Sequence, residues 1–408
     1  MPVLALVGAT VLPVSSDPIE DGVILVDGAR ILAVGPRSEV TVPEGAEVVD
    51  LAGRTVIPGL VDTHSHIGST GDLNERSGPL QITVSAIDAI DARHPSIALA
   101  RAGGVTTANV MPGSGNLIGG QTAYVKLRDA DTVDELLYCV DRTKDVCGGL
   151  KMANGTNPQG QGSYPRTRMG AASQVRNRFE AGQRKHASQQ APHGKRKAPP
   201  PPPSDPEDRI LFQVLDGSRI VHFHTHRADD VATILSLAHQ FGFTPVLHHV
   251  SEAWKVVDAI AASGVPCSLI LIDSPGGKEE ATEIRMENAA LLAARGVPIA
   301  IHTDDPITDS RLFLRSGALA VRAGLPEDAA LAALTLEGAR MLGLADRVGS
   351  IEPGKDADLV VLSGAPFSTW THVEQTWVDG ELLYDRSRPE DARFERGGWA
   401  VPDRGITP

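Results

Sequence analysis

Histidines 64 and 66, in PGLVDTHSHIG over residues 58–68, stand two positions apart at the end of an apolar run. At a strand end, that spacing lets both imidazoles reach one ion, and neutral imidazole suits zinc and similar borderline cations. In IVHFHTHRADD, residues 220–230, His222, His224 and His226 alternate and share a face if the strand continues. The strand must stop before Asp229 and Asp230, which suit a helix N-terminus. His224 is therefore the expected ligand, with His226, in the loop, as its rival or a substrate-facing group. His222, one layer down, reads as a core histidine.

VLHHVSEAW offers His248 and His249. Neighbours on a strand point to opposite faces, so only one is expected to face inward, and the local pattern does not choose. Lys151, in CGGLKMANG, is a lysine in an apolar run. Burying an ammonium is costly unless it is paired or neutralised. It is either a paired or snorkelling lysine, or one whose amine has taken up carbon dioxide; the carbamate is a carboxylate on a long stem that can bridge two ions. Asp304 and Asp305 end the apolar run of VPIAIHTDDPITDS. A carboxylate there could ligate metal and move protons, while Asp305 and Asp309 also suit helix caps.

From residue 58 onward strand-like and helical runs alternate, with about eight strands. This predicts an α/β fold, a (β/α)8 TIM-like barrel with catalytic groups at the C-terminal strand ends. Residues 1–57 read as short strands with a D-G turn at Asp27-Gly28. The same style returns in GSIEPGKDADLVVLSG and VEQTWVDGELLYDR, with a D-G turn at Asp379-Gly380. Both chain ends are expected to form one small β-sandwich domain from residues 1–57 and 346–390, around a barrel spanning 58–345 and before a tail at 391–408. Residues 176–209 are polar and locally basic, with five prolines at 199–203. They are expected to form an exposed, partly disordered insertion near 180–208, with His186 and His193 solvated.

A chain of 408 residues, 41% hydrophobic, suits one large domain and a smaller one. The net charge of −13 argues against nucleic acid as a partner. Cys139, Cys147 and Cys267 are odd in number and form no C-x-x-C, which argues against a disulfide framework and suits a reducing cytoplasm. The apolar N-terminus lacks a basic flank and is broken at Gly8 and Pro13, so it reads as a first strand. With no long apolar run elsewhere, a soluble protein with no membrane partner is expected. No G-x-S-x-G occurs, and the glycine-rich stretch at 111–121 matches neither nucleotide-binding fingerprint.

VIPGLVDTHSH closely resembles the strand-one motif of the amidohydrolase superfamily, and SIEPGKDADLVVL its return to the small β domain. GLKMANGTNPQGQGSYPRTRMG, HTHRADD and TDDPIT resemble one subgroup of its imidazolonepropionase-like branch, which also holds prolidase-like enzymes. The resemblance implies His64 and His66 as ligands of a first ion and Lys151 as a carboxylated bridge. It implies His224 and His249 as ligands of a second ion, His249 aligning with the histidine of an EHGTE-like motif that here reads HHVSE. Asp304 is implied as a ligand and proton shuttle. The implied reaction is hydrolysis of a C–N bond in an amide, cyclic amide, N-acyl amino acid or dipeptide, with one or two divalent ions activating water. Zinc is the default; iron and manganese also suit these donors. His226 could bond the developing oxyanion. In GSYPRTRMG, Tyr164, Arg166 and Arg168 are candidate substrate contacts, an arginine there being able to hold a small substrate's carboxylate. A mononuclear deaminase is the nearest alternative, against which Lys151 counts; a non-catalytic barrel scaffold fits less well, since all six ligand positions are filled. Relatives are often dimers or larger, so a homo-oligomer is compatible.

Overall fold

Alternating apolar residues build the first sheet. The computed structural model describes residues 2–71, 73–190, 205–272 and 278–396. It opens with β1 (Leu4–Val11), β2 (Ile19–Asp27), β3 (Arg30–Pro36), β4 (Glu47–Asp50) and β5 (Thr55–Pro58). Ala5, Val7, Val23 and Leu25 pack on one face, and Leu6, Ile24, Val26 and Ile31 on the other, as a period of two requires.

The pattern then changes to strands buried on both faces, the mark of parallel pairing under helices. They are β6 (Leu60–Ser65), β7 (Val105–Val110), β8 (Ile118–Gln121), β9 (Ala123–Lys126), β10 (Leu150–Ala153), β11 (Val221–Thr225), β12 (Pro245–His249), β13 (Cys267–Leu269) and β14 (Ile299–Ile301). β10 to β14 pair in parallel, in chain order, with β8 antiparallel on the β10 edge. β6 and β7 pair in parallel, and β9 runs antiparallel to β7. Among the described residues these are two hydrogen-bonded sheets, where a single closed eight-stranded barrel was expected. β8 and β9 are separated only by Thr122, so one edge of each sheet belongs to the same chain run. At the other edge, the Asp304 N–H donates to the His64 carbonyl at 2.9 Å, and the Thr303 N–H to Asp62 Oδ1 at 3.1 Å.

The chain returns through β15 (Leu359–Leu362), β16 (Val373–Val378) and β17 (Glu381–Asp385) to the first sheet, whose order is β17-β16-β15-β5-β1-β2-β3 with β4 beside β1. Both chain ends thus share one sheet of eight strands, where two packed layers of a sandwich were expected.

The polar insertion is corrected over much of its length. Residues Arg168–Gln190 form a helix, because Ala171, Val175 and Phe179, four apart, bury one stripe. The Phe179 ring lies 5.3 Å from Phe241 and 5.2 Å from Phe243. His186 packs on Phe212 and sits 3.1 Å from Asp216 Oδ1, so it is not a solvated loop residue. A second helix, Pro206–Leu215, starts with Asp205 as N-cap and proline in the first turn. The proline run and His193 lie outside the described residues. Cysteine parity also misled: Cys139 and Cys147 form a disulfide, and Cys267 is a buried thiol. Among the described residues no helix is long and apolar enough to cross a membrane.

Candidate metal centre

The parallel strands deliver their C-terminal ends to one place. His64 is the fifth residue of β6 and His66 follows its end; His224 is the fourth of β11 and His226 follows it; His249 closes β12. Asp304 arrives three residues after β14. These residues form two donor sets, His64–His66–Asp304 and His224–His226–His249, and a third set, His64–His248–His302, shares His64; in each the ligand atoms lie within 4.8 Å of one another. The sets adjoin, since the His64 and His249 ring centroids are 4.8 Å apart.

In the first set, Asp304 Oδ1 lies 3.3 Å from His64 Nε2 and 3.1 Å from His66 Nε2. His66 Nδ1 is 2.9 Å from the Met111 carbonyl, which turns Nε2 toward the carboxylate. Lys151 Nζ lies 3.1 Å from His64 Nε2 and 3.5 Å from Met111 Sδ, fully buried. Burial lowers the Lys151 amine to about 7, against the pull of Asp304 and with the push of Lys278. Burial raises the Asp304 carboxyl, but His66, His302 and Lys151 outweigh it and the net shift is downward. Burial is also the first cause holding His64, His224, His226 and His249 well below the usual imidazole range, so these rings are neutral donors.

Both His248 and His249 face the centre, contrary to the expectation from alternation. The His248 ring is 5.0 Å from His64, and the His249 ring 4.4 Å from His224. The cause is the backbone: His249 has φ 72° and Val250 φ 48°, so the strand breaks its pleat and swings a second histidine inward. Asp304, at φ 51°, is held in the same left-handed region. His222 sits below, as expected of a core residue. Its Nε2 is 2.8 Å from the Tyr124 hydroxyl, and its Nδ1 3.0 Å from His248 Nε2. Gly149 makes room for it, since a Cβ there would lie 2.3 Å from His222 Cδ2.

Three residues of the centre were not singled out in the sequence. His302 lies two before Asp304, a spacing that could have marked it; its Nε2 is 3.3 Å from His249 Nδ1 and its Nδ1 2.7 Å from Ser268 Oγ. Asp62 is buried, pushed up to about 7 by desolvation against its Thr303 bonds, and holds the segment that carries Asp304. Lys278, which follows two glycines in the sequence, places Nζ 2.6 Å from His226 Nε2 and 3.2 Å from His224 Nε2. Nothing in its local sequence announces this.

The expected substrate contacts are placed differently. Arg168 is engaged by two buried carboxylates, 2.9 Å from Asp230 Oδ2 and in a short pair with Glu280. The Tyr164 hydroxyl bonds the Gly78 and Glu75 carbonyls at 2.9 and 3.2 Å, tying two loops together. Arg166 is exposed, with Nη2 3.1 Å from Gln161 Oε1.

The residues fit a divalent ion on their own chemistry. His249 Nε2 is a buried ring nitrogen with no hydrogen-bond partner, its Nδ1 being taken up by His302, although buried polar atoms are normally satisfied. Neutral imidazoles converging with one carboxylate are donors for zinc-like ions.

Such strand ends, rich in histidine and joined by Asp304, define an α/β protein with groups that could hold a metal ion. The chain belongs to the amidohydrolase family, a family of hydrolytic enzymes acting on carbon–nitrogen bonds, whose model matches residues 55–383. The resemblance read from the motifs is upheld. Amidohydrolase tasK of Hapsidospora irregularis is 30% identical across 94% of this chain, which spans only 42% of that relative's length. An imidazolonepropionase of Caulobacter sp. strain K31 is 27% identical over 84% of this chain and 88% of its own. A 5-methylthioadenosine/S-adenosylhomocysteine deaminase of Symbiobacterium thermophilum is 25% identical over 94% and 93%. The crystal structure of an amidohydrolase from Thermotoga maritima superposes with a TM-score of 0.82 at 36% identity, covering 94% of this chain and all of that one.

Proposed function

We propose that the protein hydrolyses a C–N bond in an amide, cyclic amide, N-acyl amino acid or dipeptide at a metal centre, in a barrel whose strands β6 to β14 close around it. The observation that carries this is the meeting of the two donor sets beside Lys151 at the parallel strand ends. His64, His66 and Asp304 would hold a first ion. His224 and His249 would hold a second, with His226 as a third donor in place of an oxyanion contact. A carboxylated Lys151 would link the two sets. When bound, a divalent ion polarises a carbonyl oxygen and lowers the pKa of water.

The chain's own groups do the rest. Asp304, ionised and held beside His66, accepts the proton of the attacking water at its carboxylate and delivers it to the leaving nitrogen. Asp62 and Thr303 fix the backbone that presents it. Burial of His64, His224, His226 and His249 strengthens the electrostatic contacts among them. Arg166, which is exposed, is the proposed contact for a substrate carboxylate.

The test loads tag-free protein with zinc, manganese or iron in bicarbonate and screens N-acyl amino acids, dipeptides, lactams and imidazolones. Hydrolysis should vanish on chelation and return with metal, and Asp304→Asn should lose about 10²–10⁴-fold in rate. Hydrolysis that survives complete metal removal overturns the proposal.

A further inference from the structure

The His224–His226–His249 set already has a cation aimed into it. Lys278 Nζ stands 2.6 Å from His226 Nε2 and 3.2 Å from His224 Nε2. An ammonium only donates, so those imidazole nitrogens must offer it their lone pairs. At His226 the tautomer agrees, with Nδ1 2.7 Å from Ser251 Oγ and Nε2 left to accept. A metal ion would need the same lone pairs, at about 2.0–2.1 Å. The two cations therefore claim one volume and repel each other within it.

The lysine is positioned by more than its own side chain. Glu280, two residues on, is buried; its carboxylate oxygens accept the Thr156 N–H at 3.0 and 3.1 Å and pair with Arg168. Arg168 is in turn anchored to Asp230, 2.9 Å away. This clamp fixes the start of the segment from which Lys278 reaches inward. The histidine set contributes no negative charge of its own, whereas Asp304 belongs to the first set.

We propose that Lys278 is a built-in competitor for the second ion: its ammonium and a divalent cation are alternative occupants of the His224–His226–His249 pocket. The wild-type chain then holds one ion tightly at His64, His66 and Asp304 and a second only weakly, after Lys278 withdraws. This rests on the metal-centre reading above and deepens it.

The test strips metal from full-length wild type, Lys278→Met and Lys278→Arg, and titrates each with cobalt(II). Visible absorption is followed per equivalent, and retained metal is counted by mass spectrometry after desalting. Expected are about one retained ion for wild type and Lys278→Arg, and about two for Lys278→Met. Circular dichroism confirms that each variant is folded before titration. About two ions in wild type, or no gain in a folded Lys278→Met, overturns the competition while leaving the metal centre intact. No retained ion in any of the three overturns both.

Discussion

Lys151 Nζ lies 3.1 Å from His64 Nε2, inside the centre and fully buried, with its amine lowered to about 7. An amine that sheds its proton near neutrality is reactive toward carbon dioxide, and this one stands against a nitrogen of the first donor set. Lys151→Ala, compared with wild type at saturating metal and bicarbonate, should retain less metal and lose hydrolysis by about 10²-fold or more. Metal content unchanged from wild type would exclude a bridging carbamate.

Lys126 predicts a structural cost. Its Nζ is wholly buried, 2.5 Å from Asp356, 2.6 Å from Asp379 and 3.2 Å from Asp358, joining β9 to the loops around β15 and β16. Removing one partner of a buried ion cluster costs up to about 3–5 kcal/mol, here moderated because Asp356 keeps Arg30 and Arg347 and Asp379 keeps Arg128. Lys126→Met should show that loss in urea unfolding. A change under about 1 kcal/mol would mean that water reaches the carboxylates.

Asp379 makes the same cluster pH-dependent. Burial raises its carboxyl, but Lys126 and Arg128 outweigh it, and the folded value lies below the ordinary 3.8. A depressed folded value means the unfolded chain binds the proton more readily. The stabilisation is therefore present above the unfolded value and lost as pH falls through the folded one. Asp379→Asn should be less stable than wild type at pH 7, with the gap closing only as pH falls below the ordinary carboxylate range and through the depressed folded value. A gap independent of pH would assign the loss to packing.

The Cys139–Cys147 bond closes a loop eight residues apart in sequence. Chain entropy assigns such a loop about 2–3 kcal/mol. Unfolding with and without reductant should differ by up to that amount, and Cys139→Ser should abolish the difference. Equal stability in both conditions would show that the loop is ordered without its crosslink.

Much of the centre was legible because metal chemistry restricts residue types. His64, His66, His224 and Asp304 sit at the ends of apolar runs, and buried strands seldom carry imidazole or carboxylate without a use. The alternation of strands and helices, and the β style shared by both chain ends, followed from hydrophobic periods that local physics enforces. Lys151 stood out because an ammonium in an apolar run must be neutralised or paired.

Tertiary structure decided what periodicity cannot express. That both His248 and His249 face inward depends on the left-handed backbone at His249, which strand spacing alone does not foresee. Arg168 could not be known as a clamp for Glu280 and Asp230 from its own loop, because its partners lie 62 and 112 residues away. Lys278, which follows two glycines in the sequence, has no period to read around it, and its meaning comes wholly from the imidazoles it meets. Residue type and spacing determined which groups could bind an ion. Which nitrogens converge, and which cation they already face, was set by long-range packing that brings distant strand ends and loops to one point.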